Sequence, residues 1–116
     1  PKILNWQSGI GRITNVPTKS YHVELMKQLV DIDEAAEYLT ACCEESEEVF
    51  LLGLRNVVEA HGGIGELAKL TNLNRESLYR MLSKNGNPEF SSLTSVLDAL
   101  GIQLQFAPKD EHKEAA

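Results

Sequence analysis

The sequence predicts a mostly α-helical fold, a small helical bundle that ends in one short C-terminal strand. Three observations predict it. Apolar residues recur at three- and four-residue spacing in six stretches between positions 21 and 100. Cap and stop residues such as Asp31, Ser46, Gly62 and Gly101 fall between those stretches. A period of two appears clearly once, in Ile102-Gln103-Leu104-Gln105-Phe106.

Residues 1–20 show no period, and Gly9, Gly11, Asn15 and Pro17 break any helix there. They read as an N-terminal arm in which Trp6, Ile10 and Ile13 can pack on the domain or on a partner. Residues 21–106 form the domain. The first helix, 21–30, places Val23, Met26, Leu29 and Val30 on one side. Asp31 and Asp33 both offer N-caps for a second helix over 34–45, with Ala35, Ala36, Leu39 and either Cys42 or Cys43 inside. Ser46 followed by Glu47-Glu48 opens a third helix, 47–60, because acids in the first turn suit the helix dipole. Phe50, Leu51, Leu54, Val57 and Val58 make its apolar stripe, and Gly62 stops it.

Residues 64–82 carry the functional signal. Ile64, Leu67, Ala68 and Thr71 follow a helical period, Asn72-Leu73-Asn74 interrupts it, and Leu78, Met81 and Leu82 resume it. Two short helices joined by a tight turn have the spacing of a helix-turn-helix. Asn72 is expected to take positive φ at the turn, since Asn accepts that region better than most residues. Ala68 allows the helices to approach, and Leu73 and Leu78 plug the angle between them. The second helix projects Arg75, Glu76, Tyr79, Arg80, Ser83 and Lys84 outward, with Lys69 nearby on the first. That face suits a helix lying in a DNA major groove, with Arg75 and Tyr79 toward base edges and Arg80, Ser83 and Lys84 toward phosphate. Plain packing of two helices would produce the same apolar spacing. The cationic outer face favours the DNA reading.

Asn85-Gly86-Asn87-Pro88 ends the second of these helices. Ser91 is expected to cap a last helix running to Leu100, with Phe90 as a hydrophobic staple and Gly101 as the stop. The strand 102–106 then puts Ile102, Leu104 and Phe106 on one face. It needs a partner, either residues 10–16 of the same chain or a second copy in a homodimer. A dimer would set two recognition helices about one DNA turn apart, as a palindromic operator requires. Residues 107–116 read as a polar tail.

Charge is unevenly spread. The chain of 116 residues has a formal net charge of −6. Residues 24–48 hold nine acids against Lys27 alone, a balance of −8. Residues 55–84 hold five bases (Arg55, Lys69, Arg75, Arg80 and Lys84) against three acids, a balance of +2. The basic half can face phosphate, whereas the acidic half suits a basic protein or plain solvent.

Several function classes are excluded. No apolar run approaches the ~20 residues of a membrane span, and residues 1–20 hold no signal-peptide core. Since the chain opens at Pro1, a start upstream of it is expected. Cys42 and Cys43 point about 100° apart on a helix and read as two reduced thiols in the cytoplasm. His22, His61 and His112 have no metal-ligand spacing, and no metal or cofactor is expected. Gly62-Gly63-Ile64-Gly65 follows a helix and lacks the GK[ST] end of a phosphate loop. No nucleophile has a base in register, so no catalytic residue or enzyme activity is expected.

Residues 21–106 also resemble the addiction-module antidote proteins, antitoxins with a Cro/repressor-like helix-turn-helix. The matching pieces begin with Asp33-Glu34-Ala35-Ala36-Glu37-Tyr38-Leu39, Leu54-Arg55-Asn56-Val57-Val58 and His61-Gly62-Gly63. They continue with Leu67-Ala68, Arg75-Glu76-Ser77-Leu78-Tyr79, Leu82-Ser83, Gly86-Asn87-Pro88 and Ala99-Leu100-Gly101. They cover roughly three quarters of the chain in order. The resemblance implies an antitoxin of a type II module, encoded beside a RelE/HigB-like toxin. Such a protein binds and neutralises the toxin and represses its own operon. Asn72 stands where the family prefers Gly. Ile64 stands where phage repressors of this fold place Gln, which leaves a phosphate contact to backbone N–H groups. On this reading the basic toxin docks on Glu37, Glu44 and Glu45, with Trp6 of the arm. The alternatives are a stand-alone helix-turn-helix regulator and a pure protein-binding module.

Overall fold

The computed structural model describes residues 18–109. Among them run six helices: α1 (Thr18–Leu29), α2 (Ile32–Glu45), α3 (Glu47–Ala60), α4 (Gly63–Leu70), α5 (Arg75–Met81) and α6 (Phe90–Leu100). The caps explain most of the boundaries. Asp31, rather than Asp33, starts α2: its Oδ1 accepts from the Glu34 N–H at 3.0 Å. Ser46 serves two helices at once. Its backbone N–H donates to the Cys42 carbonyl at 3.3 Å and closes α2, while its Oγ accepts from the Val49 N–H at 3.1 Å and opens α3. At the far end of α3, Gly62 has φ 112° and turns the chain into α4, a left-handed conformation that glycine adopts without a steric cost.

The central helix is α3. It packs against α1, α2 and α4, and Leu54, Val57 and Val58 are buried along it. Leu29, Leu78, Leu82 and Val96 complete the fully buried centre from α1, α5, the end of α5 and α6. Burying a large aliphatic side chain contributes on the order of 1.5–3 kcal/mol, so these positions hold the bundle together. Polar ties fasten the elements further. His61 Nε2 donates to the Leu29 carbonyl at 2.8 Å, joining the end of α3 to the end of α1. His22 lies 2.8 Å from Glu59. Where α2 crosses α3, Gly53 faces Cys42, and a Cβ there would lie 2.5 Å from its Sγ. The two cysteines are free thiols, Cys42 buried and Cys43 exposed.

Several expectations are corrected. No strand forms over 102–106. Instead the Gly101 N–H donates to the Asp98 carbonyl and the Ile102 N–H to the Leu97 carbonyl, at 3.0 and 2.9 Å. With Gly101 at φ 83°, this is a Schellman stop, and it draws Ile102 against the core. A strand also needs a ladder partner, and residues 10–16 lie outside the described residues. Asn72 does not take positive φ; no described non-glycine residue does. Hydrogen bonds shape that turn instead. Thr71 Oγ1 donates to the Leu67 carbonyl and accepts from the Leu73 N–H, and Asn74 Oδ1 accepts from the Ser77 N–H at 2.7 Å. Ser91 does not cap α6, which starts at Phe90 after Glu89 with no side-chain cap. Phe90 is no staple either, being 65% exposed.

Candidate nucleic-acid interface

Helix α5 is a seven-residue element with a buried side and an exposed one. Leu78 and Met81 are buried beneath it, and Leu73 in the preceding turn packs on the same core. Arg75, Glu76, Tyr79 and Arg80 are exposed on it, and Lys84 is exposed just past its end. Arg75 is the first residue of the helix, after the Asn74 cap. Its guanidinium lies over Gly65 of α4, where an added Cβ would be 3.3 Å from Nη2. Gly65 therefore leaves room for Arg75 between the two helices. Tyr79 follows one turn later and is 59% exposed.

Arg80 borders a shallow groove between α5 and the start of α6. Ser77, Asn85, Asn87 and Ser92 line it, all polar residues able to hydrogen-bond. Ser83 is committed elsewhere: its Oγ donates to the Arg80 carbonyl at 2.7 Å and helps to close the end of α5. Lys69 lies on α4 with its Nζ 3.7 Å from Glu66, an exposed pair of small energetic weight.

Arg55 has a role that charge counting missed. Its Nε and Nη2 both donate to the Leu82 carbonyl oxygen, at 3.1 and 2.8 Å. Nothing local signals this, because the partners lie 27 residues apart.

The other proposed surfaces sit apart from α5 in the chain. Glu37, Glu44 and Glu45 are exposed on α2, the last two just before the Ser46 elbow. Trp6 lies outside the described residues. Ile102 is half-buried, whereas Leu104 and Phe106 are exposed, Phe106 to 89%. With Phe90 and Leu97 they line an open groove along α6. Among the described residues no group of histidine, cysteine, aspartate and glutamate could hold a metal ion. No described helix is long and apolar enough to cross a membrane.

The family model described as "Probable addiction module antidote protein" matches residues 19–108. A protein of Haemophilus influenzae, named only as an uncharacterized protein, is 30% identical over 83 residues. That match spans 71% of this chain and 84% of the relative. No solved structure matches. The family match runs through all six helices, from α1 to the segment beyond α6. The chain belongs to the family of probable addiction module antidote proteins.

Proposed function

We propose that the protein is the antitoxin of a type II toxin-antitoxin pair. It neutralises a RelE/HigB-type toxin by direct binding and represses its own operon through a Cro-like helix-turn-helix formed by α4 and α5. The observation that carries the DNA half is the exposed set Arg75, Tyr79 and Arg80 on a helix whose opposite side is buried, with Lys84 exposed just past its end. Such a helix can enter a major groove without exposing core. Glu76, next to Arg75 in the first turn, is exposed as well, and Lys69 adds positive charge from α4. Ser83, being bonded to its own helix end, supports the geometry more than the contact.

The toxin half draws on the family and on charge. Toxins of this class are basic, and Glu37, Glu44 and Glu45 offer exposed acidic charge on the proposed toxin-binding side, with Trp6 from the arm as a further contact. A homodimer completes the reading. The segment after α6 exposes the apolar side chains of Leu104 and Phe106, which a second copy can cover around a two-fold axis.

Co-expression with the adjacent gene product and a gel-shift titration on the upstream DNA test both halves. A stable basic partner and a specific shift support the proposal. A specific shift without a partner favours a stand-alone regulator. A partner without any shift leaves a protein-binding module.

A further inference from the structure

The C-terminal end of α5 is held from outside its own helix, by two independent contacts. Arg55 projects from α3 and places both Nε and Nη2 on the Leu82 carbonyl oxygen. Leu82 is the C-cap of α5 and is buried. Carbonyls at a helix C-terminus carry partial negative charge, so a guanidinium there makes a charge-assisted bond as well as a geometric one. The second contact is the return of the chain at Gly86. Its N–H donates to the Ser83 carbonyl at 2.9 Å, and a Cβ at this residue would overlap the Met81 carbonyl oxygen.

A seven-residue helix does not hold its own direction in water, because nucleation is costly and few of its backbone groups pair internally. The core packing of Leu78 and Met81 fixes which side faces inward, and the angle of the helix is set further by what grips its ends. Asn74 grips the start, and Arg55 with Gly86 grips the finish.

We propose that Arg55 is a positioning residue for sequence-specific DNA binding. It sets the angle at which α5 presents Arg75 and Tyr79 to base edges, acting through Leu82 and not through DNA. This rests on the reading of α5 as the recognition helix. A residue that contacted phosphate would instead contribute to affinity for every sequence and to its salt dependence.

The test uses the full-length protein, a duplex from upstream of its own gene and a scrambled duplex of equal composition. Binding is titrated at several salt concentrations, and far-UV circular dichroism follows the fold. Arg55→Met keeps much of the apolar stem and removes the donors. We expect specific affinity to fall about tenfold, the scale of one charge-assisted hydrogen bond, with little change on the scrambled duplex. The slope of log affinity against log salt should stay unchanged. Arg55→Lys restores the charge and one donor but not the fork, and should recover part of the loss. If Arg55→Met fails to fold, Arg55→Lys carries the test, and wild-type specific affinity in it overturns the proposal. Equal losses on both duplexes, with the slope reduced by about one, would make Arg55 a phosphate contact and also overturn it. A wild-type protein that cannot tell the two duplexes apart would remove the recognition-helix reading and this inference with it.

Discussion

Asn56 on α3 donates its side-chain amide to the Tyr38 hydroxyl on α2 at 3.0 Å. The bond joins the two helices that pack most extensively against each other, beside Cys42 and Gly53. Both partners are half-buried, so each would lose solvation without the other. Burial pushes the Tyr38 hydroxyl well above the usual phenol range, and the bond from Asn56 opposes that shift in part. Tyr38→Phe keeps the ring and strands the Asn56 amide. It should cost about 0.5–1.5 kcal/mol in urea unfolding, and an unchanged midpoint would mean water replaces the hydroxyl.

The neighbouring thiols should differ in reactivity. Burial, first, and then the nearby charges of Cys43 and Glu45 push the Cys42 thiol up to about 11, against an ordinary value of 9.0, although its bond with Tyr38 pulls the other way. At neutral pH one thiol per folded chain, Cys43, should react quickly with a disulfide reagent, and Cys43→Ser should abolish that phase. The folded state favours the protonated form of Cys42. Its contribution to stability is therefore complete below pH 9 and is lost as pH rises through about 11. Two fast thiols in the folded protein would contradict this placement.

On the upstream DNA, Arg75→Ala should cost about 1–3 kcal/mol and relax specificity at one base pair. Lys84→Ala should instead weaken all sequences alike and lower the salt slope by about one. The two variants would be told apart by titrations against mismatched duplexes at two salt concentrations. Wild-type behaviour in both would remove α5 from the DNA contact.

Toxin binding should depend on the acidic side. Reversing Glu37, Glu44 and Glu45 to Lys should slow association at low salt by about tenfold or more and leave dissociation less changed. All three side chains are exposed, so circular dichroism should show an intact fold. Unchanged association rates in stopped-flow mixing would place the toxin elsewhere.

Truncation after Gly101 should convert the proposed dimer to a monomer and abolish cooperative operator binding. The Schellman stop loses its Ile102 bond but keeps the one from Gly101, so α6 should survive. Light scattering gives the mass. A dimer that persists after truncation lies on another surface.

Local signals in the sequence determined most of the helices. Asp31, Ser46 and Gly101 act within four or five residues of where they stand, so their effects are legible in spacing alone. The same holds for the apolar stripe of α3 and for the exposed row on α5. Tertiary structure decided what depends on distant partners. Arg55 reads as one more surface cation until α3 and the end of α5 are brought together. The segment 102–106 has the alternation of a strand, but alternation does not supply a ladder, and the Schellman stop takes Ile102 into the core. The turn at 71–74 needed no left-handed residue once Thr71 and Asn74 supplied side-chain hydrogen bonds. Periodicity encodes which face is buried, whereas contacts between residues far apart in the chain arise only when the bundle closes.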